Sequence, residues 1–240
     1  ECVGSVLRQS CSDFEVVVVV DNNVNLYRFL AQRYLREPRI RVILNNYQRG
    51  LSASMNCGVP QTNGQIICFI DDDAVADKDW LSEFGKAYDN DEGLYAVGGC
   101  IRPLWKAKKP RYLPREFYWM IGATGSYLAD QVGEIRNLWS GNISYRRIVF
   151  DKIGLFSPDL GRVRNSFLQG EDMEFGLRLL RSTGRGTKYV PRAVVYHKVY
   201  CYRTNLRSLM RRAYQQGYGK ACLGKFHGLG GLSVEREYLR

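Results

Sequence analysis

The sequence predicts an α/β fold in which a mostly parallel sheet is flanked by helices. Strand-like apolar runs alternate with segments of helical spacing along the first half of the chain, an order typical of a doubly wound sheet. One run, residues 14–21, is an almost unbroken series of valines, as expected of a strand covered on both faces. Two runs end in acids, at Asp21 and at Asp71. Because ligands of such sheets bind beyond the carboxyl ends of the strands, these acids mark the predicted binding edge.

The predicted elements follow one another in a regular order before residue 102. Residues 1–10 are predicted to be the end of a helix. Apolar, largely β-branched runs predict strands at 14–21, 40–46, 65–70 and 94–101. Apolar residues at helical spacing, with stop signals such as Asn63-Gly64, predict helices at 24–36, 51–62 and 79–88.

The second half of the chain is less regular. Segment 102–140 begins with several basic residues among prolines and aromatics, and it is predicted to be a loop-rich insertion, either a solvated loop or a lid. Beyond it, the pattern predicts a helix at 172–182, a strand at 188–198 interrupted by Pro191, and a basic helix at 204–220.

Positive charge is concentrated in the last quarter of the chain. The net charge of the 240 residues is +11, and residues 178–240 hold 14 Lys and Arg against two acids, Glu235 and Glu237. We therefore predict a main domain at 1–200 and a basic helical C-terminal extension at 201–240. The extension is expected to meet an anionic partner, which could be phosphate, a lipid surface or nucleic acid.

Two further features concern the environment of the protein. No apolar run approaches 18 residues, so no membrane-spanning helix is predicted. The seven cysteines are scattered and form no CxxC pair, which fits free thiols in a reducing compartment better than disulfides or a zinc site. These features favour a cytoplasmic protein.

The segment IICFIDDDAV, residues 66–75, joins a predicted strand to three consecutive acids. Adjacent carboxylates repel one another unless a cation lies among them. A hard divalent cation, Mg²⁺ or Mn²⁺, commonly takes one or two carboxylates together with substrate phosphates. Asp71 and Asp73 are therefore predicted to hold such a cation, which would clamp a diphosphate. The alternative is a solvated acidic turn.

Two later segments carry further candidate groups. Glu171 and Asp172 fall at the start of a predicted helix, where they could be catalytic or could simply cap the helix. His197 follows the apolar run AVVY and is either a core histidine or a metal ligand. The segment SGNISYRR, residues 140–147, could be only a turn that enters a helix.

Taken in order, these segments resemble the family 2 glycosyltransferases. A strand ending in Asp21 is followed by GLSASMN, FIDDDAV, SGNISYRR, GLFSPDLG, GEDMEFGLRL and VVYH, and the resemblance covers about residues 1–220. It implies the Rossmann-like GT-A fold and an inverting enzyme. Such an enzyme moves a sugar from a nucleoside-diphosphate sugar to an acceptor hydroxyl of a glycan, a polysaccharide or a lipid-linked sugar.

The resemblance assigns nucleotide and metal roles to the acids at the strand ends. Asp21 matches the acid that contacts the nucleotide base, and Asp71 and Asp72 belong to the nucleotide site. The DxD motif, Asp71 and Asp73, is implied to bind the metal, Mg²⁺ or Mn²⁺. His197 matches a histidine that lies near the metal and the diphosphate in some relatives.

The same resemblance assigns the donor and acceptor side of the site. Gly141 and Asn142 match the loop under the donor sugar, and Glu171 belongs to the same region. Asp172 matches the catalytic base of the ED motif. The implied partners are a nucleoside-diphosphate sugar and a glycan or lipid-linked acceptor. The basic helix suggests an anionic membrane surface as well, with the protein peripheral to the cytoplasmic face.

The sequence departs from the family pattern at three places. The family usually opens with a central strand that helps to hold the nucleotide, whereas this sequence starts inside the following helix, so we expect a fragment whose first strand is missing. VDNN stands where VDDGS is usual, and Met55 stands where the family often has Arg before Asn56. The base contacts and the identity of the donor are therefore open.

Two other classes of function fit parts of the sequence. FIDDDAV also fits the signature of haloacid-dehalogenase-like phosphatases, with Asp71 as nucleophile and Asp73 as acid/base, although that pattern normally lies on the first strand. A nucleic-acid-binding module could be built on the basic tail, where arginines alternate with tyrosines. Nucleic acid is the less favoured partner because the tail leaves the upstream acids unexplained.

Overall fold

The computed structural model describes residues 1–47, 50–125, 128, 133–135, 138–160 and 170–227. Its helices are α1 (Cys2–Val6), α2 (Val24–Arg33), α3 (Leu51–Gly58), α4 (Trp80–Asn90), α5 (Ile148–Ile153), α6 (Glu171–Thr183), α7 (Cys201–Thr204) and α8 (Leu206–His227). Its strands are β1 (Val16–Asp21), β2 (Ile40–Asn45), β3 (Ile66–Ile70), β4 (Ala74–Ala76), β5 (Ala96–Trp105), β6 (Glu134–Ile135), β7 (Asn142–Arg146) and β8 (Thr187–Val199). Short 3₁₀ helices lie at Val59–Gln61 and Arg115–Ile121.

The strands form two sheets. β1 and β2 pair in parallel, and the other described strands form a six-stranded sheet of order β3-β7-β5-β8-β4, with β6 paired to β8. Among the described residues, no strand pairing joins the two sheets. The expectation that a strand is missing before α1 stays a prediction.

The predicted α/β class, with a sheet flanked by helices, is confirmed. The strand directions are more mixed than predicted: in the larger sheet β5 and β8 are parallel, while β3–β7, β5–β7, β4–β8 and β6–β8 are antiparallel. Only Asp71, Asp72 and Asp73 separate β3 from β4, yet β4 pairs with β8 and not with β3. The chain therefore changes direction at these three acids.

Side chains that alternate along β7 connect the larger sheet to the helices on its two faces. Tyr88 of α4 hydrogen-bonds Ser144 on one face. On the other face, Tyr145 packs edge-on against Phe175 of α6, with ring centroids 4.9 Å apart. Because successive strand residues point to opposite faces, β7 fixes the positions of both helices. The start of α6 is thereby held near the edge of the sheet where the acids lie.

The predicted insertion at 102–140 is partly ordered. β5 runs on to Trp105, the second 3₁₀ helix lies inside the segment, and β6 pairs with β8. Residues 126–127, 129–132 and 136–137 lie outside the described residues.

The C-terminal part contains α7 and α8. Leu209 of α8 is buried in the same core as Trp80, so this helix packs on the main body. The domain boundary after residue 200 stays a prediction, and residues 228–240 lie outside the described part. In agreement with the sequence, none of the described helices is long and apolar enough to cross a membrane.

Candidate active site

The register between β4 and β8 places His197 beside the acidic turn. Ala74 lies opposite His197 in this antiparallel pair, and the backbone N–H of Lys198 donates to the carbonyl of Asp73 at 3.0 Å. Asp73 and His197 are more than 120 positions apart in the sequence, yet this strand pairing places Nε2 of His197 3.2 Å from Oδ1 of Asp73.

Asp71, Asp73 and His197 form a group that could hold a metal ion. One ligand atom from each residue lies within 4.8 Å of the others. The two carboxylates are partly exposed, while His197 is only 4% exposed. Carboxylate oxygens with one imidazole nitrogen suit a divalent cation such as Mn²⁺. The three residues that sequence analysis assigned to the metal are therefore brought together, and their chemistry fits the ion.

A guanidinium also reaches this group. Arg203 of α7 places Nη2 2.7 Å from Oδ2 of Asp73 and Nη1 3.1 Å from Nε2 of His197. Nε2 of His197 therefore faces both a carboxylate oxygen, at 3.2 Å, and a guanidinium nitrogen, at 3.1 Å. Within the described part of the chain, the buried Nδ1 of His197 has no hydrogen-bond partner. Sequence analysis did not single out Arg203, because it appeared as one basic residue among many in the tail.

The backbone before β7 lies against the first acid of the group. A β-carbon at position 141 would stand 2.6 Å from Oδ2 of Asp71, so a larger residue than Gly141 would push this carboxylate aside. The backbone N–H of the preceding residue, Ser140, favours the ionised form of Asp172 and so lowers its pKa. Two consecutive residues thus lie near the metal-binding group on one side and the predicted base on the other.

Asp172 lies in the first turn of α6. Its Oδ1 accepts from the N–H of Met173 at 2.8 Å, and the helix begins after Gly170, whose φ of 134° favours glycine. Burial, followed by the charge of Glu171, raises the pKa of Asp172 to about 7. A carboxylate that titrates near neutrality is suited to accept a proton at physiological pH.

Glu171 lies close to Asp172 but is more enclosed. It is buried, and its Oε2 accepts from the backbone N–H of Gly170 at 3.1 Å. Glu171 therefore shapes the start of α6 and the electrostatic environment of Asp172. A contact with donor or acceptor stays a prediction for this residue.

Asn142 faces the interior rather than the acids. Its side chain is fully buried, accepts from Nε1 of Trp80 at 2.7 Å and donates to the carbonyls of Cys100 and Ala193, each at 2.9 Å. Both amide hydrogens are committed inside the sheet. Asn142 thus holds β7 in place and thereby positions Gly141, and the place of both residues under the donor sugar stays a prediction.

Asp21 occupies a separate position at the end of β1. Its carboxylate accepts from the backbone N–H of Gly50 at 3.1 Å and from the side-chain amide of Asn45 at 3.4 Å. It therefore orders the entry into α3. Asp72 is exposed between the two metal-binding acids. The nucleotide contacts of Asp21 and Asp72 stay predictions.

Side chains of α3, in the segment GLSASMN, hold the loop that follows α5. The side chain of Asn56 donates to the carbonyl of Phe156 at 2.8 Å and accepts from its N–H at 2.9 Å. Ser52 donates to the carbonyl of Leu160. These hydrogen bonds tie the segment GLSASMN to the segment GLFSPDLG. Gly161, the last residue of the second segment, and Gln169 lie outside the described residues.

The thiol of Cys2 contacts the acidic turn formed by residues 71–73. It donates to the carbonyl of Asp71 at 3.3 Å. Burial, followed by the charge of Asp72, raises the pKa of Cys2 to about 11. The thiol therefore stays protonated and acts as a donor that ties α1 to the site.

Comparison with known proteins gives consistent results. The profile of glycosyl transferase family 2 matches residues 1–154. The chain is 34% identical over 220 residues to the glucosyl-dolichyl phosphate glucuronosyltransferase of Haloferax volcanii, covering 92% of this chain and 70% of that protein.

Two solved structures share the fold. GalNAc-T7 with UDP, GalNAc and Mn²⁺ has a TM-score of 0.63 at 16% identity, over 99% of this chain and 50% of that one. The mannosyltransferase PcManGT from Pyrobaculum calidifontis, in complex with GDP-Man and Mn²⁺, has a TM-score of 0.59 at 17% identity, over 89% of this chain and 56% of that one. The chain thus spans about half the length of these solved chains.

The fold and the acidic site together define a glycosyltransferase of the GT-A class. More specifically, this chain belongs to glycosyl transferase family 2. The predicted enzyme class is confirmed, and because the family match includes the acidic turn, it assigns that turn to a glycosyltransferase and not to a phosphatase.

Proposed function

We propose that this chain transfers a hexose-type sugar, with inversion, from a nucleoside-diphosphate sugar to a hydroxyl group of a glycan or lipid-linked acceptor. The observation that carries the proposal is the position of Ser140 and Gly141. Gly141 lies against Asp71 of the metal-binding group, and the backbone N–H of Ser140 lies near enough to Asp172 to lower the pKa of that carboxylate. A diphosphate site and a proton acceptor would therefore lie on either side of one turn, where a sugar could be held between them.

In the proposed reaction, Asp172 accepts the proton of the acceptor hydroxyl as that oxygen attacks the anomeric carbon. The bond between the anomeric carbon and the diphosphate oxygen breaks in the same displacement, and the nucleoside diphosphate leaves. A divalent cation held by Asp71, Asp73 and His197 would stabilise the charge of the leaving diphosphate. Asp21 and Asp72 would contact the nucleoside, and Glu171 would line the donor and acceptor side.

The choice between Mn²⁺ and Mg²⁺ follows from the ligands. Carboxylates suit both ions, but a nitrogen ligand is more readily accepted by Mn²⁺, a first-row transition metal, than by Mg²⁺, which is usually bound through carboxylates, phosphates and water. His197 therefore favours Mn²⁺, in line with the Mn²⁺ named for GalNAc-T7 and PcManGT.

A nucleotide-sugar panel tests this function. The protein is incubated with Mn²⁺, individual nucleoside-diphosphate sugars and a lipid-linked monosaccharide, and released nucleoside diphosphate is measured. We expect one donor to be consumed far faster than the others, with the product sugar of inverted anomeric configuration by NMR. Retention of configuration, or no release from any donor in the presence of acceptor, would contradict the proposal.

A lipid-linked acceptor would bring the protein to a membrane surface. The Haloferax relative is named for a dolichyl phosphate substrate, and α8 exposes an apolar stripe at four-residue spacing, formed by Leu206, Met210, Tyr214 and Tyr218. The described part of α8 contains basic residues and no acid. An apolar stripe flanked by arginines is typical of helices that lie in the interface of anionic bilayers. We therefore propose a peripheral position on the cytoplasmic face.

Vesicle co-sedimentation measures this contact. We expect binding to anionic liposomes, weak binding to neutral ones and release by salt, because each basic residue near an anionic surface contributes about 1 kcal/mol. Arg207→Gln with Arg211→Gln should weaken binding roughly 10-fold or more on that scale. The control pair Arg28→Gln with Arg36→Gln removes two exposed charges from another region and should leave binding unchanged. Equal loss in both pairs would mean that overall charge, and not α8, drives association.

A further inference from the structure

The guanidinium of Arg203 contacts Asp73 and His197, two of the three residues that could hold a metal ion. One nitrogen lies 2.7 Å from Oδ2 of Asp73, and the other lies 3.1 Å from Nε2 of His197. The side chain of Arg203 is only 17% exposed, so this is an inner contact of the site. The described chain thus supplies its own cation to a group that would otherwise collect negative charge.

The two cations exclude each other because they would use the same two side chains. Arg203 lies 2.7 Å from Oδ2 of Asp73 and 3.1 Å from Nε2 of His197, and both residues belong to the metal-binding group. A divalent cation held by Asp73 and His197 would stand within a few ångströms of the guanidinium, and two positive charges that close repel each other.

Arg203 can leave without unfolding the sheet. It is carried by α7, a helix of four residues that follows β8, and it is not on a strand of the site. Elsewhere, its Nε makes a long contact of 3.5 Å to the hydroxyl of Tyr202, and its backbone N–H donates to the carbonyl of Tyr200 at 3.0 Å. Rotation of one side chain would release Asp73 and His197 together.

We propose that Arg203 is an internal counter-ion that competes with the divalent cation for Asp73 and His197 and is displaced when the cation and the nucleotide bind. The proposal rests on the metal-binding role given above to Asp71, Asp73 and His197. A displaced guanidinium beside a metal-bound diphosphate has a natural new partner, since arginine binds phosphate oxygens with two parallel hydrogen bonds. The nucleotide therefore makes displacement of Arg203 easier, and metal and nucleotide bind cooperatively.

Binding of Mn²⁺ alone, followed by EPR, tests the competition without reference to activity. Arg203→Gln is expected to bind Mn²⁺ about 10-fold more tightly than the wild type, within the range of coupling seen among residues of one charge network. Arg203→Lys keeps a positive charge and should fall between the two. Arg207→Gln removes the same charge from the next helix and should leave Mn²⁺ affinity unchanged.

Repeating the titration with UDP present completes the test. The difference in Mn²⁺ affinity between wild type and Arg203→Gln should shrink, because UDP offers the displaced guanidinium another partner. Equal or weaker Mn²⁺ binding by Arg203→Gln without UDP overturns the proposal and leaves Arg203 as a structural link between α7 and the sheet. If Asp73→Asn binds Mn²⁺ as the wild type does, the metal site itself is misassigned, which is a failure of the proposed function and is recognised separately.

Discussion

Replacing Asp172 with asparagine is expected to lower turnover by a factor of about 100 or more, the usual scale for a positioned general base. Asparagine keeps the shape of the side chain but cannot take the proton of the acceptor hydroxyl. Affinity for the nucleoside diphosphate should stay within about twofold of the wild type, since the metal-binding acids are unchanged. Steady-state kinetics with the preferred donor, together with calorimetry, would separate the two effects.

The matched control is Asp151→Asn, which removes an exposed carboxylate from the first turn of α5. Its turnover should equal that of the wild type. If Asp172→Asn keeps near-normal turnover, or if it loses nucleotide binding to the same extent, Asp172 is not the base.

The pH dependence of turnover follows from the raised pKa of Asp172. The group accepts a proton only when ionised, and its pKa is raised to about 7 by burial and then by Glu171. Turnover of the wild type should therefore fall as the pH is lowered through about 7, and Asp172→Asn should lack this limb. A wild-type profile that is flat down to about pH 5, well below the titration of such a base, would contradict the assignment.

The same raised pKa has a consequence for stability. An unfolded aspartate titrates near 4, so between about 4 and about 7 the unfolded chain loses this proton while the folded protein keeps it. Rising pH therefore favours the unfolded state over this interval. Asp172→Asn should melt higher than the wild type above pH 7, with the difference fading as the pH approaches 4.

Much of this site could be predicted from local sequence, because apolar strands that end in acids form a recognisable local pattern. The valine run before Asp21 and the apolar run before Asp71 gave the strands, and the order of motifs gave the enzyme class. The place of His197 could not be derived in the same way. It depends on the pairing of β4 with β8, between residues far apart in the chain, and a three-residue strand leaves no periodic signal.

Arg203 and Asn142 show two different limits of prediction from sequence. Arg203 resembles its basic neighbours in sequence, and only its contacts with Asp73 and His197 set it apart. For Asn142 a signal was available: polar Asn142 and Ser144 alternate with apolar Ile143 and Tyr145, which indicates a strand with two faces. This alternation agrees with the structure, in which the side chain of Asn142 faces Trp80 inside the sheet.

Replacing Asp73 with asparagine is expected to abolish metal-dependent binding of the nucleoside diphosphate. Asp73 is the acid that lies beside both His197 and Arg203, and without an ionised oxygen the group loses a ligand for the cation. Carboxylates and phosphates repel one another when no cation lies between them. Calorimetry should show Mn²⁺-dependent binding of the nucleotide to the wild type, loss of that binding in EDTA, and no binding by Asp73→Asn at the same concentrations.

A charge effect must be separated from the loss of a ligand. Asp72→Asn removes the same charge from the exposed neighbour and should weaken binding less than Asp73→Asn does, because Asp72 is not part of the metal-binding group. Asp73→Asn leaves Arg203 without its carboxylate, so the double variant Asp73→Asn with Arg203→Gln restores the local charge balance. If Asp73 acts as a ligand, this double variant still fails to bind Mn²⁺ and nucleotide. Recovery of binding in the double variant would show that Asp73 serves only to neutralise Arg203.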